Sequence, residues 1–186
     1  MTNRHPHLLS SDEAFLVVID IQERFRSVQK DFERMVQGAS RLTRACRLLE
    51  VPIVVTEQYP KGLGRTVPEL TDALGGRDAF TKTCFSSCGS DEFSGRLGEL
   101  GRRQALVCGI ETHVCVSQTV HDLLQRGLTV HVAVDAVESR NPLDREVALR
   151  RMERSGAILT TSEAAAFELL RDAAHPKFKE VQALFK

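Results

Sequence analysis

The chain has 186 residues, 42% hydrophobic and 27% charged, which is typical of a globular domain large enough to bury a full core without metals or disulfides. Its 25 basic and 25 acidic side chains balance, which argues against nucleic acids or anionic membranes as partners. It has no apolar run of membrane-spanning length and no recognisable signal peptide, and its odd number of cysteines, five, argues against a disulfide framework. We therefore predict one cytoplasmic domain over residues 1–186.

Short apolar runs alternate along the chain with segments that repeat apolar residues every three or four positions. The runs are typical of buried parallel strands, and the repeats are typical of amphipathic helices. In chain order the predicted elements are a strand over 14–19, a helix over 32–49, a strand over 53–56, a helix over 67–74, a strand over 79–83, a helix over 90–100, a strand over 105–110, a helix from 112 onward, a strand over 128–134, a helix over 144–155, a strand over 157–161 and a helix over 162–172.

This alternation predicts an α/β fold, with a doubly wound, Rossmann-like, six-stranded parallel sheet and helices on both faces. We expect residues 1–12 to form a flexible leader, residues 57–66 a loop, and residues 175–186 a C-terminal helix that docks on the domain. Neither GxGxxG nor GxxxxGK[ST] occurs in the positions that would make a nucleotide site. No nucleotide cofactor is therefore predicted.

A strand-to-helix turn at residues 109–115 brings Cys115 into the first turn of a helix. Unpaired backbone N–H groups and the positive end of the helix dipole favour a thiolate there. The simpler interpretation is that Cys115 is a small buried apolar residue, as many free cysteines are. The turn by itself does not decide between the two.

Three reactive residues lie at the carboxyl ends of predicted strands: Asp20, Lys82 and Cys115. Ligands of open α/β sheets bind at this edge, where the winding direction reverses. Together these residues suit nucleophilic catalysis, because Asp20 can take and return the thiol proton, Lys82 can stabilise the thiolate, and Cys115 can form a thioester. Taken singly, the aspartate could be a turn residue and the lysine a solvated surface residue.

Several separate segments resemble one family in the right order along the chain. They are residues 17–22, 55–64, the Lys82 segment, residues 109–116, 129–140, 151–163 and 175–186. The chain resembles the isochorismatase-like cysteine hydrolase superfamily, and most closely its isochorismatase-domain-containing subgroup.

The resemblance implies an Asp–Lys–Cys triad, which maps onto Asp20, Lys82 and Cys115. It also implies a cis peptide between Ile110 and Glu111, with an oxyanion hole formed by the backbone N–H groups of Glu111 and Cys115. It further implies a homo-oligomer.

The walls of the substrate pocket are less well indicated by the sequence. We assign Phe25 and Tyr59 to the pocket from their positions on loops above the first and second strands, and we add Thr112 from the nucleophile turn.

Metal-dependent nicotinamidases of this superfamily carry an Asp-x-His and a further histidine after the second strand. The corresponding residues 57–62 contain no histidine here, so no metal and no other cofactor is predicted. His113, His121 and His131 lie on separate predicted elements. His113 could instead act as a base for Cys115, although Asp20 is the preferred candidate.

The sequence thus predicts a metal-independent hydrolase that acts on a small amide or related acyl compound through a thioester on Cys115. One alternative is a non-catalytic oligomeric binding protein that retains the fold. Another is a redox or thiol-transfer role for Cys115 with Cys84 or Cys88, which we interpret as simple thiols. The identity of the substrate is not predicted.

Overall fold

The predicted six-stranded parallel sheet is confirmed in a computed structural model, which describes residues 4–186. The strands lie in the order β3-β2-β1-β4-β5-β6. Their bounds are Ala14–Ile19 (β1), Ile53–Gln58 (β2), Phe80–Lys82 (β3), Gln104–Ile110 (β4), Thr129–Glu138 (β5) and Ile158–Thr160 (β6). The α-helices are Phe32–Leu48 (α1), Pro60–Leu63 (α2), Pro68–Leu74 (α3), Asp91–Leu100 (α4), Ser117–Gln125 (α5), Pro142–Arg154 (α6), Ser162–Leu170 (α7) and Phe178–Ala183 (α8).

The central strand β1 separates two apolar cores, because successive side chains of a strand point to opposite faces. Leu16 and Val18 belong to the core that also contains residues of α1, α3, α7 and α8. Val17 and Ile19 belong to the other core, together with residues of α4, α5 and α6. Every residue of β1 is buried, which explains its continuous apolar run.

The strand β5 runs through Asp135 to Glu138, so the predicted end of this strand at residue 134 was wrong. The pairing with β4 shifts its register between Val107 and Gly109, and Val137 and Glu138 then pair with Gly109 and Ile110. Two positions of β4 are thus matched by five of β5, so β5 bulges at the segment that contains Asp135. The polar sequence after residue 134 had suggested a loop.

Other boundaries also differ from the predicted ones. The strand β2 extends to Gln58, and the short helix α2 lies within the predicted loop 57–66. The C-terminal helix is limited to Phe178–Ala183, with Val181 buried in the core. Within the described chain, no helix combines the length and apolarity needed to cross a membrane.

The predicted leader is anchored to the domain from residue 4 onward, while residues 1–3 lie outside the described residues. Leu9 is fully buried, and its backbone N–H donates to Glu168 Oε2 at 2.9 Å. The Arg4 guanidinium donates to the carbonyl oxygens of Leu9 and Glu168 at 2.8 and 2.9 Å. One apolar side chain and these hydrogen bonds connect residues 4–12 to the domain, and the flexibility of the segment stays a prediction.

The closest approach between the two central strands is made by Gly109. A Cβ atom at this position would lie 2.1 Å from the carbonyl oxygen of Ile19, and the φ of Gly109 is +133°. Only glycine adopts this conformation without a steric penalty. The contact places the end of β4 directly beside the residue that precedes Asp20.

We expect Gly109→Ala to lower the free energy of unfolding by at least about 3 kcal/mol, or to prevent folding, because the new methyl group would overlap the backbone of β1. Gly98→Ala is the matched control, since an added Cβ there meets nothing within 4 Å on the exposed side of α4. It should change stability by less than about 1 kcal/mol. Urea denaturation measures both variants, and equal stabilities would contradict the close approach.

Candidate active site

The winding direction of the sheet reverses between β1 and β4, which are neighbours at its centre. In open α/β sheets, the crevice at this point, outside the carboxyl ends of the strands, is the usual place for ligands. Asp20 follows β1, Lys82 is the last residue of β3, and Cys115 lies after β4. The topology therefore brings the three residues to one edge of the sheet.

Asp20 and Lys82 form a buried ion pair at this edge. Lys82 Nζ lies 2.7 Å from Asp20 Oδ2, and both side chains are 0% exposed. The second carboxylate oxygen, Oδ1, accepts a hydrogen bond from the Thr56 hydroxyl at 2.8 Å. Loss of one partner of such a pair typically destabilises a protein by about 3–5 kcal/mol, because the other charge remains buried and unpaired.

The ammonium group of Lys82 has acceptors on every side. Besides Asp20, it donates to Gln58 Oε1 at 2.8 Å and to the carbonyl oxygens of Cys84 and Phe85, both at 3.2 Å. An ammonium group has only three protons, so these four acceptors use all of them. Lys82 is therefore held in place as a fixed charge in the site.

Sequence reasoning missed the two glutamines that position this lysine. Gln22 is fully buried; its Oε1 accepts from the backbone N–H of Gln58 at 2.8 Å, and its Nε2 donates to the Gln58 carbonyl oxygen at 3.0 Å. Gln58 Nε2 in turn donates to the Thr83 carbonyl oxygen at 2.8 Å. A signal was available, because Gln22 lies in the segment after the first predicted strand and Gln58 lies two residues after the predicted end of the second.

Cys115 lies in a π-helical turn, Thr112–Val116, that continues directly into α5. The peptide bond between Ile110 and Glu111, just before this turn, is cis. The Cys115 carbonyl oxygen accepts from the Thr119 hydroxyl at 2.7 Å, and Thr119 Oγ1 accepts from the Ser87 N–H at 2.9 Å. The nucleophile turn is thus tied to the loop that supplies carbonyl groups to Lys82.

The Cys115 thiol is protonated at neutral pH. Burial raises the pKa of this thiol to about 12, and the neighbouring Asp20 carboxylate acts in the same direction, while the Lys82 ammonium lowers the pKa. Only 6% of the residue is exposed. The expectation that the turn favours a thiolate is corrected, because desolvation outweighs the stabilisation expected from the helix and the lysine.

Glu111, Thr112 and His113, which precede Cys115, have different surroundings. The Glu111 carboxylate is buried and pairs with Arg140, with 3.0 Å between Oε2 and Nη2. His113 Nδ1 lies 2.9 Å from Ser139 Oγ. The hydroxyl of Thr112 is buried and has no hydrogen-bond partner among residues 4–186, which makes it a candidate contact for a ligand.

Phe25 and Tyr59, the two other predicted pocket walls, lie in different surroundings. Phe25 is partly buried against the core that contains α1, whereas Cys115 belongs to the opposite core. Tyr59 is 53% exposed and lines a cavity at the edge of the sheet, whose other walls are Pro60, Lys61, Arg65, Thr81 and Thr83. Their assignment to the substrate pocket stays a prediction.

All five cysteines are free thiols, and Cys46 and Cys108 are buried in the core. Among the described residues, no three side chains of His, Cys, Asp or Glu type lie close enough together to hold a metal ion.

The sequence and fold are similar to those of known proteins. The family described as "Isochorismatase domain" matches residues 14–164. Isochorismatase domain-containing protein 2A of Mus musculus is 50% identical over 177 residues, which cover 94% of this chain and 84% of that protein. A structure described as MAR1 ribonuclease from Caenorhabditis elegans is 47% identical, with a TM-score of 0.90 over 95% of this chain and 91% of its own.

A more distant neighbour shares the fold alone. The YcaC protein of Escherichia coli, described as an octameric hydrolase of unknown specificity, is 22% identical, with a TM-score of 0.86 over 99% of this chain and 98% of its own.

We expect Asp20→Asn and Lys82→Met to shift the pH midpoint of Cys115 alkylation in opposite directions. The carboxylate raises the pKa of the thiol and the ammonium lowers it, so Asp20→Asn should move the midpoint to lower pH and Lys82→Met should move it to higher pH. A change of one pKa unit corresponds to roughly tenfold in the thiolate fraction. Iodoacetamide labelling across a pH series, followed by peptide mass spectrometry, measures this.

Cys88 is the internal control for this experiment. Burial also raises its pKa, to about 11, but neither Asp20 nor Lys82 contributes to that shift. Its rate should therefore stay constant in both variants. A shift of Cys115 in the same direction in both variants would contradict the assigned electrostatics.

Proposed function

This chain belongs to the isochorismatase family, and from that premise we propose that it is a metal-independent hydrolase that cleaves a small amide or related acyl compound through a thioester on Cys115. The observation that carries the proposal is the buried Asp20–Lys82 ion pair beside the Cys115 thiol. A buried ion pair is not needed for stability, since apolar residues often replace one without loss. Its position next to a nucleophile gives it a chemical use.

In the first step, the carboxylate of Asp20 takes the proton of the Cys115 thiol as the sulfur attacks the acyl carbon. The raised pKa of the thiol makes this transfer necessary, because a preformed thiolate is scarce at neutral pH. Lys82 stays in place and balances the negative charge that moves from Asp20 to the sulfur and then to the acyl oxygen. The backbone N–H groups of Glu111 and Cys115 are the proposed donors to that oxyanion.

In the second step, the protonated Asp20 gives its proton to the departing amine, the carbon–nitrogen bond breaks, and a thioester remains on Cys115. Asp20 then takes a proton from a water molecule, and the resulting hydroxide attacks the thioester. Collapse of this second intermediate releases the acid and returns the thiolate, which regains its proton from Asp20. The buried hydroxyl of Thr112 is a proposed contact for the substrate.

The proposed reaction uses no metal, because the loop that carries the metal ligands of related nicotinamidases has no histidine in residues 57–62. We also propose that the protein is cytoplasmic, because all five cysteines are free.

A homo-oligomer is supported by the exposed apolar side chains of Leu143 and Val147, one turn apart on α6, and by the octameric description of the E. coli neighbour.

We expect Cys115→Ala to abolish turnover and covalent labelling without loss of the fold. Wild-type protein treated with p-nitrophenyl acetate should gain the mass of one acetyl group on Cys115, as detected by intact-protein and peptide mass spectrometry. The control Cys46→Ala removes a buried thiol of the opposite core and should still be labelled on Cys115. Unchanged hydrolysis in Cys115→Ala would refute the thioester and favour the alternative, a non-catalytic oligomeric binding protein.

A second candidate function is cleavage of RNA, because the C. elegans relative at 47% identity is described as a ribonuclease. The exposed aromatic side chains of Tyr59 and Phe85 also offer surfaces on which bases could stack. We rank this function second, since the formal charge of the chain is zero and the triad candidates are almost completely buried.

Labelled single-stranded RNA separates the two candidate functions. We expect no cleavage above a buffer control by the wild-type protein, because the buried triad is too enclosed for a polynucleotide. Cleavage by the wild type that is lost in Cys115→Ala or Lys82→Met would establish the ribonuclease activity instead. Equal cleavage by all three proteins would indicate a contaminating nuclease and leave the chain itself inactive on RNA.

A further inference from the structure

A cleft lies at the outer edge of the sheet, beside the terminal strand β3. Its volume is about 500 Å³, which is enough for a small organic molecule. Its walls are mainly apolar and are formed by Tyr59 and Pro60, with Lys61, Arg65, Thr81 and Thr83 around them. Neither the reaction proposed above nor the family match accounts for a cleft that combines an aromatic ring, two basic side chains and two hydroxyl groups.

The cleft is separate from the triad candidates. Successive side chains of a strand point to opposite faces, so Thr81 faces away from the side on which Lys82 is buried, and Thr83 directly follows the strand. Both threonines are exposed, whereas Lys82 is buried against Asp20. A ligand in the cleft would therefore lie behind the catalytic lysine and not in front of Cys115.

Tyr59, the aromatic residue in the wall of the cleft, has an unusual backbone conformation. Tyr59 has φ 37° and ψ 66°, a left-handed conformation that is rare for a bulky aromatic residue and that often marks functional sites. Its N–H donates to the carbonyl oxygen of Lys82 at 2.9 Å. The ring lies over Gly62, where an added Cβ would be 2.6 Å from Tyr59 Cε1. One face of the ring is thereby supported and more than half of the residue stays exposed.

The charges at the rim of the cleft are positive. Lys61 is exposed and forms no ion pair within residues 4–186, while Arg65 donates to the buried carboxylate of Glu57 at 2.9 Å and remains mostly exposed. The Glu57 carboxylate is further occupied by the N–H and hydroxyl of Thr66. An arginine that keeps free N–H groups beside an aromatic face suits a carboxylate or phosphate attached to a ring.

We propose that this cleft binds a small organic anion that carries a planar ring, with the ring stacked on Tyr59 and the anionic group held by Lys61 and Arg65. The threonine hydroxyls of β3 supply further hydrogen bonds. This site goes beyond the proposed hydrolase function and does not depend on it. Because Tyr59 donates to the Lys82 carbonyl oxygen and Gln58 bonds to that of Thr83, bound ligand would also restrain the strand that carries the catalytic lysine.

The chain offers a direct probe of this cleft, because Tyr59 is its only tyrosine. In protein labelled with ¹³C-tyrosine, the ring signals in a carbon–proton NMR spectrum report on this residue alone. We expect saturable shifts on titration with benzoate or adenosine 5′-monophosphate at constant ionic strength. Tighter binding of the first would identify an aromatic carboxylate as the ligand, and tighter binding of the second a nucleotide. Benzamide, which lacks the charge, and acetate, which lacks the ring, should shift the signals little.

Three variants test the contacts. Lys61→Gln should weaken binding of benzoate by about threefold, as expected for one exposed charge. Lys179→Gln, the matched control on exposed α8, should leave it unchanged. Gly62→Ala should displace the supported ring and weaken binding by a larger factor while α2 still forms, because Gly62 has no positive φ.

The proposal is overturned if benzoate and adenosine 5′-monophosphate both give no saturable shift, or if Lys61→Gln and Lys179→Gln bind equally well. Protein alkylated on Cys115 distinguishes a separate cleft from one that is part of the substrate pocket. Unchanged binding by the alkylated protein supports a separate cleft, even if the chain proves to have no hydrolase activity. Loss of binding would assign Tyr59 to the substrate pocket and refute a second site.

Discussion

The site depends on one interaction, the buried ion pair between Asp20 and Lys82. Two charges that are removed from water must pair with each other. Their remaining N–H groups and lone pairs also need hydrogen-bond partners. The Thr56 hydroxyl donates to the second carboxylate oxygen of Asp20. The Lys82 ammonium donates to the Gln58 side chain and to two loop carbonyl groups. Three segments that are distant in sequence are therefore held in one arrangement: the end of β1, the end of β2, and the end of β3 with the loop that follows it.

The backbone near the nucleophile is fixed by close packing as much as by hydrogen bonds. Gly109 lets β4 approach β1 so closely that no side chain fits between them, and the turn with Cys115 begins two residues later, after the cis peptide bond. Thr119 then ties the Cys115 carbonyl group to the loop that holds Lys82. The thiol, the carboxylate and the ammonium consequently share one rigid frame, which is what proximity in catalysis requires.

Burial also determines the chemistry that the site can perform. A thiol with a raised pKa does not react readily with passing electrophiles, so the resting protein keeps Cys115 in its neutral form. In the proposed reaction, Asp20 is the base that takes the thiol proton at the moment of attack, with its charge stabilised by Lys82. The same desolvation strengthens every charge interaction in the transition state of that reaction. The proposed reaction thus combines a low resting reactivity with a nucleophile that its own base activates.

The sequence by itself determined the parallel sheet and the edge at which Asp20, Lys82 and Cys115 lie. Apolar periodicity reports which face of an element is buried, and the alternation of strands and helices limits the topology. Only the tertiary structure decided that Gln22 and Gln58 position the lysine, that β5 continues past Asp135, and that burial raises the pKa of the thiol. These features depend on desolvation and on hydrogen bonds between loops distant in the chain, and local sequence patterns carry no information about either.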